Sequence, residues 1–179
     1  MYAGKSTIGE VLSQELGIPH ISVDEIAESH YLKNGLDPHT LQQICDSEDF
    51  REYVDFMRPY EIQAVKEIVR EYSDAVISFG AGHSYAETDE DQAQFLEIKD
   101  LSPNIFLILP SQDAETSRKV LEERMEADEP LTSQKLESKK EVNSIFLKSE
   151  SNSLLANHVI YTEGRTPEES AREIINQLT

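Results

Sequence analysis

The chain has 179 residues and a formal net charge of −19, which at about 100 to 200 residues per domain predicts one compact domain. Charge of that sign, with no Lys/Arg run to offset it locally, excludes nucleic acid and anionic membrane surfaces as partners. The single cysteine, Cys45, excludes an internal disulfide framework and any multi-thiolate zinc site. No apolar run approaches the ~20 residues that span a bilayer, and no signal-peptide pattern opens the chain. The expectation is a cytoplasmic protein, a monomer or weak dimer, whose partner is a small molecule.

Gly4-Lys5-Ser6-Thr7 matches the end of the phosphate loop G-x-x-x-x-G-K-[ST], in which backbone N–H groups surround phosphates and the hydroxyl reaches Mg²⁺. Counted back from Gly4, the first glycine of the pattern falls two positions before Met1. The chain is thus expected to start inside its own motif, and the natural protein to carry ~10 to 15 more residues, enough for a strand and the start of the loop. Ile8, Val11, Leu12 and Leu16 repeat at helical spacing, and Gly17 with Pro19 supplies the stop, so a short amphipathic helix should follow Gly4 and point its dipole at the phosphates. His20 to Val23 is the first strand segment. Asp37-Pro38 starts a helix with proline at its first position. A long helical stretch from about Glu48 to Tyr72 contains Pro59, expected to kink or split it.

Ala75 to Phe79 and Asn104 to Leu109 are apolar runs of the kind found in strands covered on both faces, and His158 to Thr162 is a fourth strand segment. Strands alternating with helices predict a parallel α/β sheet sandwiched by helices. Between these runs, Glu87 to Asp91 is an acidic cluster that reads as a solvated loop with Asp89 as a cap. From Arg118 to Ser153 the composition is charged, which fits either a mobile flap or a solvated helical hairpin seated on Leu121, Met125, Leu136, Ile145 and Leu147. Thr166-Pro167-Glu168-Glu169 combines a capping box with a first-turn proline before the last helix. The five histidines show no metal-ligand spacing. His83, just after Gly82, is the one placed to hydrogen-bond a substrate, although an ordinary loop histidine is the plainer reading.

The stretch AGKSTIGEVLSQELGIPHISVDEI resembles the phosphate loop, first helix, second strand and acidic turn of the shikimate kinase family, within the P-loop small-molecule and nucleoside monophosphate kinases. MRPYE (Met57 to Glu61) is similar to that family's F-R-x-x-E, FGAG (Phe79 to Gly82) to its glycine triplet, and ANHVIYTEGRTPEESAREI to its closing strand and helix. The resemblance implies a single P-loop kinase-like domain over 1–179 with a helical lid at about 118–153. It also implies that the central first strand of a five-stranded sheet is missing from the chain. It further implies ATP and Mg²⁺ as cofactors. Ala3, Gly4, Lys5, Ser6 and Thr7 would then hold the nucleotide phosphates, Ser6 the metal, and Arg118 or Arg124 would stand in for the lid arginine. On the acceptor, Asp24 would orient or take the hydroxyl proton, Arg58 would bind a carboxylate, Gly80, Ala81 and Gly82 would allow close approach, and Lys148 would replace a second acceptor arginine. Read without the resemblance, Asp24 is the N-cap of its helix, Arg58 a surface ion-pair partner, and the glycines turn residues.

Three departures bear on the substrate. Ser22 stands where the family has its first acidic-turn aspartate, Ala81 replaces the middle glycine, and Asp128-Glu129-Pro130-Leu131 lacks an arginine before its Pro-Leu. The expected function is transfer of the γ-phosphoryl of ATP to a hydroxyl of a small acidic metabolite, in the manner of shikimate kinase. The competing expectations are a degenerate P-loop protein that binds nucleotide without turnover, and a kinase for a sugar acid or a nucleoside.

Overall fold

The computed structural model describes residues 1–128 and 131–178, so Glu129 and Pro130 of the lid motif lie outside the described residues. Helix α1 (Lys5–Leu16) starts directly after Gly4, whose left-handed backbone (φ 86°) turns the chain into the helix, and stops at Gly17, also left-handed. Strand β1 (His20–Ser22) leads straight into α2 (Val23–Lys33), and α3 (Pro38–Cys45) is capped by the Asp37 side chain. Helix α4 (Phe50–Glu71) runs unbroken through Pro59. Proline removes one intrahelical hydrogen bond, and the buried stripe of Met57, Ile62, Ala64, Val65 and Ile68 holds the helix together across it, so the expected split does not occur.

Strand β2 (Val76–Ser78) is followed by a short 3₁₀ turn at Gly82–Ser84 and by α5 (Asp89–Lys99). The cap of α5 is Thr88, in a capping box with Asp91, so Asp89 is the first helical residue instead of the cap. Strand β3 (Phe106–Leu109), helices α6 (Ala114–Asp128), α7 (Ser133–Lys148) and α8 (Glu150–Leu155), strand β4 (His158–Tyr161) and α9 (Pro167–Ile175) complete the chain. The Thr166 capping box at α9 forms as its sequence predicts. Within 118–153 the described residues form the end of α6, all of α7 and the start of α8, with Leu121, Met125, Val142 and Phe146 buried.

The strands pair in parallel as β1 with β2 (Ile21 opposite Ile77) and β3 with β4 (Ile108 opposite Ile160). Among the described residues β2 and β3 do not pair; an apolar slot of about 500 Å³, lined by Leu12, Val76, Ile77, Phe106 and Ile108, runs between them. Each strand pair has its own core. Val23, Ala27, Tyr31, Met57, Val65 and Ile68 pack together around α2 and α4. Ile8, Leu12, Ile108, Ile160, Ala171 and Ile174 join α1 and α9 to β3 and β4. No helix among the described residues is long and apolar enough to cross a membrane.

Candidate active site

A cleft of about 900 Å³ opens where the two cores meet, at the C-terminal ends of β1 and β2, the place where parallel α/β sheets present ligand sites. One wall is the start of α1. The first helical bond runs from Ile8 N–H to the Gly4 carbonyl, and no side chain caps the helix. The earlier N–H groups therefore have no intrahelical acceptor and carry the positive end of the helix dipole, a ready seat for an anion. Gly4, Lys5, Ser6 and Thr7 all line the cleft. Burial lowers the pKa of Lys5, and the Asp24 charge opposes that shift.

Tyr2 sits in the same wall with φ 59°, the one non-glycine residue at positive φ among those described. A left-handed backbone costs a side chain about 1 to 2 kcal/mol, and its place beside the anion seat follows the tendency of such strain to collect at functional sites. The Tyr2 carbonyl accepts a hydrogen bond of 3.0 Å from Arg124 Nη1, which ties α6 to the loop and brings Arg124 into the cleft. Arg118 lies elsewhere, paired with Glu115 and Glu122 on its own helix. Lys148 is exposed at the end of α7, outside the cleft lining.

The opposite wall comes from α2, α4 and the loop after β2. Ser22 occupies the N-cap position of α2, so Asp24 is a first-turn residue and not the cap. Its side chain is 64% exposed and faces the cleft. The glycines are required by close approach. A Cβ on Gly80 would lie 2.1 Å from Asp24 Oδ1, and one on Gly82 would lie 2.8 Å from Glu61 Oε2. The loop thus threads between two carboxylates, with Ala81 also lining the cleft.

Glu61 is buried, and desolvation, reinforced by the Asp24 charge and opposed by Arg58, pushes its carboxyl up to about 8. His83 is also buried. Its Nδ1 accepts the Gly80 N–H at 3.0 Å and lies 3.4 Å from Asp24 Oδ1, while Nε2 is 2.8 Å from the Tyr31 hydroxyl. The plain reading of His83 as a loop residue therefore gives way to a cleft-lining position inside a polar network.

Arg58 is placed differently. Its Nη2 contacts Asp55 Oδ1 at 2.7 Å and Glu87 Oε2 at 2.5 Å, its guanidinium carbon sits 5.4 Å from the centre of the Tyr85 ring, and it does not line the cleft. Its Nε is buried without a hydrogen-bond partner. Lys5, Asp24 and the 80–82 loop are thus brought together, Arg124 joins them through Tyr2, and Arg58, Arg118 and Lys148 stand apart.

Glu61 was not singled out as a site residue by the sequence, although a carboxylate on the apolar stripe of α4 is a signal. Phe50, Tyr53, Phe146, Thr162, Arg165 and Pro167 also line the cleft. Thr162, Arg165 and Pro167 belong to the closing strand-and-helix stretch of the sequence, whereas Phe50, Tyr53 and Phe146 carry no motif and are found only through the fold. Among the described residues no cluster of three His, Cys, Asp or Glu side chains is placed to hold a metal.

A sequence model described as shikimate kinase matches residues 1–179. A solved structure of shikimate kinase from Acinetobacter baumannii in complex with shikimate is similar in fold at a TM-score of 0.59 and 16% identity, covering 99% of this chain and 90% of that chain. No curated protein matches the chain.

Proposed function

The chain belongs to the shikimate kinase family, which makes it a P-loop small-molecule kinase, and from that premise we propose that it transfers the γ-phosphoryl of ATP to a hydroxyl of a small acidic metabolite. One observation carries the reading: the uncapped start of α1 with Lys5 and the exposed carboxylate of Asp24 share one cleft. One wall suits a triphosphate, the other a hydroxyl that must lose a proton.

The α1 N–H groups and Lys5 hold the β- and γ-phosphates. Desolvation that costs the free ammonium its proton affinity makes Lys5 a strong partner for a phosphate, since both charges are neutralised in the same place. Asp24 accepts the proton of the acceptor hydroxyl as the new O–P bond forms and the bond between the γ-phosphorus and the bridging oxygen breaks, leaving ADP. Gly80 and Gly82 let the acceptor-side backbone and the two carboxylates approach one another closely. Arg58, with its Nε unpartnered in the resting pairing, turns toward the acceptor carboxylate, and Lys148 reaches the same group when the 118–153 hairpin closes.

An uncapped helix start with an exposed serine, Ser6, fits a hydrated Mg²⁺ at the phosphates, with the Ser6 hydroxyl as its protein ligand. When bound, the ion supplies neutralisation of charge on the phosphate oxygens. Arg124, already hydrogen-bonded to the loop carbonyl of Tyr2, lies on the same side as the nucleotide. The cytoplasm, where ATP is abundant, is the proposed compartment, and the protein acts as a monomer or weak dimer.

The test is thermal stabilisation by Mg-ATP together with ADP release in the presence of acceptors. Binding raises Tm by mass action. The reading requires a hydroxy acid to stimulate ADP release; stabilisation without acceptor-dependent turnover would reduce the chain to a nucleotide binder.

A further inference from the structure

His83 is a buried titratable group that the proposed chemistry leaves without a task. A peptide N–H can only donate, so the 3.0 Å bond from Gly80 to Nδ1 requires Nδ1 to be unprotonated. The neutral ring then carries its proton on Nε2 and donates it to the Tyr31 hydroxyl at 2.8 Å, which fixes the tautomer. Four ionisable groups face the ring: Asp24 and Tyr31 from α2, Glu61 from α4 with Oε1 4.0 Å from Nε2, and Lys5 from α1. Burial, helped by Lys5 and opposed by Asp24, lowers the imidazole pKa to about 4. The neutral form therefore persists at neutral pH.

Two arrangements of this ring are mutually exclusive. With Nδ1 bare, the Gly80 N–H is satisfied and Asp24 makes no ion pair with the ring. With Nδ1 protonated, in the other neutral tautomer or in the imidazolium, the ring would donate to Asp24 Oδ1 across the present 3.4 Å, which would consume the base and strip the Gly80 N–H of its acceptor. An orphaned buried N–H costs about 1 to 3 kcal/mol, and Gly80 is the residue against which Asp24 is packed. Whatever fixes the tautomer thus also fixes the loop and the availability of Asp24.

We propose that His83 and Tyr31 are positioning residues of the acceptor site: the Gly80 N–H selects the Nε2–H form of the imidazole and Tyr31 accepts that proton, so that Nδ1 pins Gly80 beside Asp24 and leaves that carboxylate free for the acceptor hydroxyl. The role of Asp24 rests on the function proposed above, whereas the state of the ring does not. Neither residue touches the reacting atoms; they act through Gly80 and Asp24.

Two measurements test this on the whole protein. The first, nitrogen-15 NMR of the histidine rings, needs no acceptor. Nε2–H and bare Nδ1 at His83 from pH 8 to 6 is the expected result, with loss of the single tautomer in Tyr31→Phe. A protonated Nδ1 in that range overturns the proposal. The second is ADP release from Mg-ATP with shikimate as the probe. His83→Leu should lower kcat by about 100-fold, the effect of displacing a catalytic group by an ångström, with KM for ATP unchanged. His83→Asn, which keeps an oxygen where Nδ1 accepts from Gly80, should recover most of that loss. Equal losses in the Leu and Asn variants overturn the proposal. Should the Leu variant fail to fold, Tyr31→Phe carries the same test through kcat and through faster amide exchange at Gly80, and wild-type values for both overturn it. If Asp24→Asn abolishes turnover while His83→Leu leaves it intact, the positioning role alone fails. If Asp24→Asn itself retains turnover, the base assignment fails, and the ring measurement still decides the tautomer.

Discussion

The two walls of the cleft are built by different means. The wall proposed for the phosphates is local: Gly4 to Thr7 are consecutive, the groups they offer are mainly backbone N–H groups, and their geometry follows once α1 starts where it does. The wall proposed for the acceptor is assembled from Asp24, Glu61 and the Gly80 to His83 loop, which meet only because α2 packs on α4 and β2 lies beside β1. A site made of backbone donors tolerates changes in the rest of the sequence. One made of side chains on separate elements depends on every contact that aligns them, and there specificity can change while the reaction class stays the same.

The contrast predicts how substitutions on the two walls should differ. Lys5→Ala should lower kcat by two or more orders of magnitude, since it removes a charge aimed at the transferring phosphate. The fold should remain intact by circular dichroism, because the buried ammonium is costly to the folded chain. Asp24→Asn should reduce kcat by about 10² to 10⁴, the range of general acid–base contributions, while ATP affinity by titration calorimetry stays near wild type. The reverse pattern would move Asp24 out of the acceptor wall. Gly80→Ala places a Cβ 2.1 Å from Asp24 Oδ1; the carboxylate must move, so turnover should fall along with stability, the latter by about 1 to 3 kcal/mol in denaturant melts. Tyr2→Gly tests the phosphate wall from the other side. It should be more stable than Tyr2→Ala by about 1 kcal/mol, since both variants lose the ring packed on the core and only glycine relieves the left-handed backbone.

The two buried groups of the acceptor wall also shape stability against pH. Glu61 is raised from 4.5 to about 8, so between those values the folded chain keeps a proton that the unfolded chain releases. By linkage, stability falls as pH rises through that window. His83 is lowered from 6.5 to about 4, so there the unfolded chain binds the extra proton and stability falls as pH drops. Glu61 therefore contributes an alkaline loss from pH 6.5 to 8, and Tm in Glu61→Gln should fall less than in the wild type over that interval. A wild-type slope in the variant would show that Glu61 is already charged when folded.

How much of this was legible beforehand follows the same contrast. Gly4-Lys5-Ser6-Thr7 and the Gly17 stop announced α1, and the strands fall within their predicted segments because short apolar runs between turn residues are a local signal. The Asp37 and Thr166 caps were equally local. Two readings failed where a neighbouring residue prevailed: Thr88 displaces Asp89 as the cap, and Ser22 takes the N-cap position that the plainer reading gave to Asp24; of the kink or split expected at Pro59, the split does not occur, because tertiary packing carries α4 through it. The His83 and Tyr31 pair, 52 residues apart, left no pattern to find, because a side-chain contact between separate elements has no period. Glu61 did leave one, a carboxylate on an otherwise apolar stripe.

The measurement that bears most directly on the account is ADP release from Mg-ATP by the wild-type protein, with and without shikimate, a sugar acid or a nucleoside, with Lys5→Ala and Asp24→Asn as paired controls. Stimulation by a hydroxy acid, lost in both variants, is the predicted result, since it requires the two walls to act as one site. Mg-ATP that binds and stabilises the chain while no acceptor raises ADP release above the Lys5→Ala level would contradict it.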